Sequence, residues 1–359
     1  MKVLIAAGIY PPDAGGPATH AKAQFEGLPK FGIKTSLVAL AHYRGWPRGI
    51  RHLWFLFALI CKAFSADVIY AHDTVGVGFP AWLAAKLCGK RFVIRIGGDL
   101  AWERHAEESG LSMKEWYERG AYQKDKMFKL SRFTLKQADL VIVIGQSLAD
   151  LYISRYKISP QKIKVIINPI PKISGAPALN AENTAVFASR LTSYKNLPTA
   201  LKALAKLSAE GHDLKLVIMG DGPERGKLDK LCLDLKIKDK VIFTGPVSNE
   251  EVIKRTASCL FTIAPALTEF NPNYVLQGIG LGKPFIISRE NDLPFNVPVE
   301  LTFNPRNESE LYERIASLLQ EDQYAKARSF ISSLKLNMSW EDNLKQNAEA
   351  LKDVLNGSK

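Results

Sequence analysis

The chain has 359 residues, of which 47% are hydrophobic and 23% charged. This composition excludes a disordered protein, and the length is sufficient for two domains with separate cores. The net charge is +12, and residues 1–172 hold all of that excess, with 25 Lys and Arg against 13 Asp and Glu. This asymmetry indicates that the first half faces an anionic partner such as a membrane surface, a lipid-phosphate acceptor or nucleic acid, unless the charge only aids solubility.

Strands and helices are predicted to alternate through the first half. Residues 1–7 (MKVLIAA) read as an apolar strand, too short for a signal peptide, and a Gly- and Pro-rich loop separates it from a helix over 18–28. Gly15 and Gly16 would let a ligand approach the loop backbone closely. The pattern is not GxGxxG, which disfavours a dinucleotide site. Further strands are predicted at 34–40, 67–73, 91–96, 138–144 and 164–167.

Polar residues follow two of these strands. Ligands of open parallel sheets bind beyond the carboxyl ends of the strands, so His72, Asp73 and Asp99 are acid/base candidates. For His72 and Asp73, capping of the next helix is an equally good interpretation.

Two stretches of the first half mix apolar residues with cations. The predicted helix over 50–64 is too short to span a bilayer, and it suits either a membrane interface or, by a modest preference, the protein core. Residues 101–136 interleave aromatic residues with Arg and Lys, which can stack on sugars and bind phosphates. This stretch is predicted to form part of the binding site for an acceptor substrate or, alternatively, a pair of solvated helices. No helix-turn-helix, RRM or zinc-finger signature supports nucleic-acid binding, and we expect none.

Residues 173–183 are predicted to be a linker, after which the alternation resumes. Strands are expected at 184–188, 215–219, 241–243, 260–264 and 285–288, with a helix capped at Ser248, a helical region over 308–336 and a last helix over 340–355. Four widely spaced cysteines without metal-ligand spacing indicate buried thiols in a reducing compartment. No metal-ligand cluster is found in the sequence.

Two segments of the second half carry the chemistry. Arg190 and Lys195 lie five residues apart in a loop between a strand and a helix, an arrangement suited to a diphosphate. In the stretch from Thr268 to Ser288, Glu269 precedes an Asn- and Pro-rich turn and a helix from Asn273 to about Leu281, whose first N–H groups would favour an anion.

These segments resemble the group-1 (family 4) retaining glycosyltransferases. The resemblance rests on Arg190-Leu-x-x-x-Lys195, the Gly220-x-Gly-Pro loop, Glu269 and the Gly282-Lys-Pro284 turn, with Gln277 in place of a second glutamate. It extends over nearly the whole chain and is strongest from Phe187 to Ser288. In the family a histidine at the reaction centre usually ends the segment before Gly97; here Asp99 takes that place by position.

The resemblance implies an α/β protein of the GT-B type, with two doubly wound Rossmann-like domains facing a cleft. The expected domains are an acceptor-side domain over 1–172, on which a C-terminal helix over 340–359 packs back, and a donor domain over 173–339. The expected catalytic residues are Glu269, Arg190, Lys195 and Asp99, and the expected donor-binding residues are Gly15, Gly16, Gly220, Asn271, Asn273, Tyr274 and Gln277.

The resulting hypothesis is a cytoplasmic, metal-independent hexosyltransferase without a cofactor, in which the nucleotide-diphosphate sugar is a substrate. The acceptor would be a saccharide or a lipid-linked hydroxyl in cell-surface polysaccharide or glycolipid synthesis, and the basic first half would lie on the inner face of the plasma membrane. Two alternatives stay open: an epimerase on the same fold, and a degenerate protein that binds nucleotide sugars without turnover.

Overall fold

A computed structural model of the chain describes residues 1–13, 15–170, 183–334 and 338–357. The chain divides into two units. The first unit comprises Met1–Trp102, Arg119–Pro169 and Trp340–Lys359, and the second comprises Glu103–Glu118 and Ile170–Ser339. The predicted linker, apart from Asn183, lies outside the described residues.

The first unit is built on a parallel six-stranded sheet in the order β2-β1-β3-β4-β5-β6. Central strands of such sheets are covered on both faces and are therefore continuously apolar, as in β1, where every residue after Lys2 is buried. The strands are β1 (Lys2–Ala7), β2 (Lys34–Ala39), β3 (Val68–His72), β4 (Arg91–Ile96), β5 (Leu140–Val143) and β6 (Ile163–Val165). The helices before the second sheet are α1 (Gly16–Gly27), α2 (Arg48–Ala63), α3 (Gly78–Cys88), α4 (Leu100–Ser109), α5 (Met113–Glu118), α6 (Lys126–Gln137) and α7 (Gln146–Ser154).

The second unit contains another parallel six-stranded sheet, in the order β12-β11-β10-β7-β8-β9. Its strands are β7 (Thr184–Ala188), β8 (Lys215–Met219), β9 (Val241–Gly245), β10 (Phe261–Ala264), β11 (Phe285–Ser288) and β12 (Thr302–Phe303). The remaining helices are α8 (Leu197–Ala209), α9 (Arg225–Asp234), α10 (Asn249–Ser258), α11 (Asn273–Gly280), α12 (Glu308–Leu318), α13 (Glu321–Ser333) and α14 (Trp340–Asn356). The predicted fold class, α/β with two doubly wound Rossmann-like sheets, is confirmed.

The C-terminal helix α14 belongs to the first unit. Its Leu344, Ala348 and Leu351 lie in the same core cluster as the buried residues of β1, β3 and β5. Asn347 accepts a hydrogen bond from the Tyr70 hydroxyl at 2.7 Å, deep in that core. The end of the chain therefore completes the core of the unit in which the chain begins.

The short segment 103–118 groups with the second unit, although it lies within residues 1–172. The Met113 amide donates to Thr268 Oγ1 at 3.0 Å, and Arg306 forms an ion pair with Glu115 at 2.6 Å. Arg306 also donates to the Gly110 carbonyl at 2.8 Å. These contacts join residues more than 150 positions apart, which local sequence patterns do not reveal.

Several expectations about single elements are settled by the structure. The Ser248 cap is confirmed, since its hydroxyl accepts from the Glu251 amide. The prediction of one helical region over 308–336 is wrong, because α12 ends at Leu318, Gln320 is extended, and α13 begins at Glu321. Five aromatic residues of 101–136 are buried, not exposed for an acceptor, whereas Phe133 is exposed: the buried ones are Trp102, Trp116, Tyr117, Tyr122 and Phe128.

The thiols and the membrane question give two further observations. Cys232 and Cys259 are buried as expected, but Cys88 is partly accessible and Cys61 is exposed. Among the described residues, no helix combines the length and the apolar character needed to cross a bilayer.

Candidate active site

The strand order of the second sheet reverses between β7 and β10, which is its topological switch point. From β7 the sheet continues to β8 and β9 on one side, and to β10, β11 and β12 on the other. Loops that leave two adjacent strands at such a reversal diverge and open a crevice beyond their carboxyl ends. The loop after β7 carries Arg190 and Lys195, and the loop after β10 carries Glu269.

Lys195 and Glu269 form a buried ion pair in this crevice. Lys195 Nζ donates to both carboxylate oxygens of Glu269, at 2.8 and 2.9 Å. The two residues are only 8% and 4% exposed. Pairing satisfies both charges in a poorly hydrated place, whereas either one alone would be strongly disfavoured there. The predicted cation and the predicted carboxylate thus meet directly.

Backbone contacts fix the two loops against each other. The Leu267 amide donates to the Tyr194 carbonyl at 2.8 Å, one residue before Lys195. Asn196 has a left-handed φ of 55°, and its side-chain amide donates to the carbonyls of Pro265 and Pro305 at 3.1 and 2.9 Å. The position of Lys195 is therefore set from both sides.

Glu269 is held by a third segment, which follows β11. Its amide donates to the Glu290 carbonyl at 2.9 Å, and its carbonyl accepts from the Asp292 amide at 3.0 Å. Sequence reasoning missed Asn196, Glu290 and Asp292, because their contacts depend on which strand ends are adjacent.

Arg190 lies in the same loop as Lys195 but in a different environment. Its side chain is exposed and takes part in none of the ion pairs found between described residues. It follows Ser189, whose carbonyl oxygen would lie 2.1 Å from a Cβ added at Gly220. Gly220 also has a φ of 132°, which L side chains rarely adopt. Glycine at this position lets the loops after β7 and β8 approach closely beside Arg190.

The turn before α11 places three predicted donor-binding residues. Asn271 is buried with a left-handed φ of 44°, and Asn273 is the first residue of the helix, where Pro272 leaves no capping side chain. Tyr274 points into the core: its hydroxyl donates to the Ile263 carbonyl at 2.8 Å, and burial raises the pKa of the phenol. The Tyr274 hydroxyl is thus engaged by protein.

Gln277, on α11, has one half of its amide engaged. Its Nε2 donates to Asn249 Oδ1 at 2.8 Å, while its buried Oε1 has no hydrogen-bond partner among the described residues. An unsatisfied buried acceptor is disfavoured by about 1–3 kcal/mol. A ligand hydroxyl could supply the missing donor.

The predicted site residues of the first unit are Gly15, Gly16 and Asp99. Gly15 has a φ of 127° and directly precedes α1, which begins at Gly16. Asp99 is fully buried, and its Oδ1 accepts from the amides of Ala101 and Trp102 at 3.0 and 3.2 Å, as a helix cap does. The Tyr156 hydroxyl donates to the same oxygen at 2.9 Å, so Asp99 both caps α4 and ties its start to the residues after α7.

Among the described residues, neither His72 nor Asp73 caps the next helix. Asp73 accepts from the Gly76 amide at 3.0 Å, in the turn before α3, whose N-cap residue is Val77. The ring nitrogens of His72 are buried without a hydrogen-bond partner among the described residues, although part of the residue is accessible. Burial, followed by the charge of Arg95, lowers the pKa of His72 to about 3, so the ring is neutral at pH 7.

Two parallel Rossmann-like sheets, with a cation and a carboxylate paired at the switch point of the second, fit the GT-B fold. Residues 170–333 match the family model "Glycosyl transferases group 1", and residues 14–172 match "Glycosyltransferase Family 4". The chain belongs to this family of glycosyltransferases.

Individual proteins show the same relationship. An uncharacterized glycosyltransferase of Methanocaldococcus jannaschii is 25% identical over 80% of this chain and 80% of its own length. The alpha-monoglucosyldiacylglycerol synthase of Streptococcus pneumoniae is 27% identical over 72% of this chain and 57% of its own. The solved structure of Anabaena HepE in complex with UDP-glucose has a TM-score of 0.71 at 16% identity, over 98% of this chain and 100% of that one.

Proposed function

We propose that this glycosyltransferase moves a hexose from a nucleotide-diphosphate sugar to a hydroxyl acceptor with retention of anomeric configuration. The observation that carries the proposal is the pairing of Lys195 with Glu269 at the switch point, with the exposed cation of Arg190 in the same loop. A diphosphate leaving group needs neutralisation, and these two cations can supply it without a metal. The UDP-glucose bound by Anabaena HepE supports a donor of the same class.

The roles follow from the contacts. A lysine has three N–H donors, and Glu269 accepts from Lys195 through both carboxylate oxygens, so a further N–H can reach a phosphate oxygen. Glu269 would hold the transferred sugar while it keeps Lys195 in place. The unpartnered Oε1 of Gln277 would accept a hydrogen bond from a ribose hydroxyl. Gly220, Asn271 and Asn273 would line the donor site through their backbone.

We assign donor binding to the domain over 173–339, with which segment 103–118 groups, and acceptor binding to the rest of residues 1–172 with the C-terminal helix. Gly15 and Gly16 are proposed to contribute to donor binding, and Asp99 to catalysis. The acceptor is a saccharide or a lipid-linked hydroxyl of a cell-surface polysaccharide or glycolipid, and the enzyme acts in the cytoplasm on the inner face of the plasma membrane. The lipid product named for the Streptococcus pneumoniae relative supports this choice of acceptor.

The test begins with calorimetric titration of the protein with a panel of nucleoside diphosphates and nucleotide sugars. The Arg190→Ala variant removes an exposed cation, so its fold should be intact. We expect it to weaken binding of the preferred nucleotide by about 10- to 150-fold, the equivalent of one charge-assisted hydrogen bond of about 1.5–3 kcal/mol. Lys202→Ala, an exposed lysine of α8 paired with Glu308, is the matched control and should bind normally.

Turnover then separates the candidate activities. Release of nucleoside diphosphate that depends on an acceptor, with NMR of the product anomer, supports the retaining transferase. A change of donor configuration without acceptor would identify an epimerase, and binding without turnover would identify a degenerate binding protein. If no nucleotide binds, the proposal fails.

A further inference from the structure

One face of helix α2 in the first unit presents large apolar side chains to solvent. Ile50, Leu53, Trp54 and Phe57 are 43%, 67%, 45% and 58% exposed, and they recur at helical spacing along one stripe. We call these four residues the outer face of α2. The opposite face carries Phe55, Leu59 and Ala63, which are fully buried. The helix is therefore apolar on both sides, although only one side contacts the core.

The outer face of α2 extends into a wider aromatic surface. Trp46, itself about half exposed, packs on Trp54 with ring centroids 6.0 Å apart, and Trp54 meets Phe57 edge-on at 5.9 Å. Phe64, directly after the helix, is 72% exposed. Clustered exposed apolar residues of this size are uncommon on proteins that contact only water, and they indicate a partner.

The surrounding charge indicates what that partner is. From Gly27 to Ala66 the sequence contains no Asp or Glu but six Lys and Arg: Lys30, Lys34, Arg44, Arg48, Arg51 and Lys62. Lys30, Lys34 and Lys62 are exposed, and Arg44 is exposed as well but pairs with Asp13 at 2.7 Å. The first unit as a whole has 25 Lys and Arg against 12 Asp and Glu, whereas the second has 23 against 24. An anionic partner is therefore favoured at the outer face of α2.

The geometry fits a lipid surface. A helix of 16 residues is about 24 Å long, shorter than the roughly 30 Å of hydrocarbon that a spanning helix must cross. Aromatic and aliphatic residues flanked by cations suit a helix that lies in the plane of the headgroups. A second copy of the chain is a poorer partner, because a symmetric contact would bring the cations around α2 in the two copies close together.

We propose that the outer face of α2 inserts shallowly into an anionic lipid surface and anchors the first unit there. This inference rests on the peripheral location suggested above for the enzyme and assigns that location to one element. It requires neither donor binding nor catalysis, so it can be tested separately from them.

The experiment is flotation of the full chain with vesicles of phosphatidylcholine, alone or with about a third phosphatidylglycerol. The wild type should float with the anionic vesicles, weakly with the neutral ones, and less at about 0.5 M salt. In Trp54→Ser/Phe57→Ser, the partition coefficient should fall at least about tenfold. The matched control, Leu233→Ser/Ile242→Ser, removes exposed apolar residues from the second unit and should float like the wild type.

Three results would overturn the inference. The wild type could fail to float, the Trp54→Ser/Phe57→Ser variant could float equally well, or sedimentation could reveal a dimer that this variant abolishes. Circular dichroism confirms folding of the variants, and calorimetric titration with nucleotide should be unchanged in them. Flotation without nucleotide binding would support the lipid contact and reject the proposed function. Nucleotide binding without flotation would reject the lipid contact and leave the proposed function standing.

Discussion

Removing one member of the Lys195–Glu269 pair should destabilise the second unit strongly. In Lys195→Met the carboxylate of Glu269, 4% exposed, loses the cation that contacts both of its oxygens at 2.8 and 2.9 Å. Breaking a buried pair in this way typically lowers the free energy of unfolding by about 3–5 kcal/mol. For a unit of this size, each kcal/mol lowers Tm by about 2–4 °C, so the expected decrease is about 6–20 °C.

The double variant Lys195→Met/Glu269→Leu tests the physical reason for that loss. With both charges removed, no buried charge is left without its partner. The free energy of unfolding should therefore lie within about 2 kcal/mol of the wild-type value. A double-mutant cycle should therefore give a coupling energy of at least about 2 kcal/mol. Urea denaturation followed by circular dichroism and Trp fluorescence measures all four proteins.

An exposed pair provides the comparison. Lys202 and Glu308 form a salt bridge in which both side chains are nearly half exposed, and Lys202→Met should change stability by no more than about 1 kcal/mol. If Lys195→Met is as mild as Lys202→Met, the pair is not desolvated and the reasoning is wrong. If the double variant is as unstable as the sum of the single ones, the two charges act independently.

Three smaller predictions concern pH and backbone geometry. Burial lowers the pKa of His72 to about 3, below about 6.5 in the unfolded chain, so the free energy of unfolding falls as the pH drops through this window. Relative to His72→Gln, the wild type should lose about 1.6 kcal/mol of that free energy between pH 6.5 and 5 in urea titrations. A pH-independent difference between the two proteins would contradict the assignment. The hydrogen bond from Arg306 lowers the pKa of Glu115 to about 2. After solvent screening, Glu115→Gln should therefore lower the free energy of unfolding by about 1 kcal/mol above pH 4.5, and by progressively less towards pH 2. A loss of stability that persists at pH 2 would argue against the ion pair. Gly220→Ala should lower stability by about 2–3 kcal/mol in thermal melts because its Cβ would meet a carbonyl oxygen at 2.1 Å, whereas Gly226→Ala, with open space around it, should not; equal melts would refute the close approach.

Local patterns predicted most of the strands and the loops that carry the chemistry. The apolar runs of β1 and β7 and the spacing of Arg190 and Lys195 are short-range features, and a parallel sheet places its loops at one edge. Contacts set by the order of strands were not accessible in this way. The carboxylate of Glu269 was expected to hold a sugar, but its bidentate contact with Lys195 depends on β7 and β10 being neighbours.

The same limit explains the errors in the first half. Interleaved aromatic residues and cations at 101–136 suggested an exposed surface, but composition does not reveal which side chains a remote segment covers. Trp116 is 1% exposed, and the Met113 amide, three residues earlier, is bonded to Thr268. The role proposed for Asp99 rests on its position after β4 and stays a prediction, beside its observed contacts as a helix cap.

The path of the chain has a consequence for exchanging parts between glycosyltransferases. The chain passes between its two units after Trp102, Glu118, Pro169 and Ser339. A graft with a single junction near residue 170 would detach the segment 103–118 from Thr268 and would leave helix α14 without the sheet on which it packs. A donor-binding cassette that keeps its native contacts would include residues 103–118 and end before Trp340.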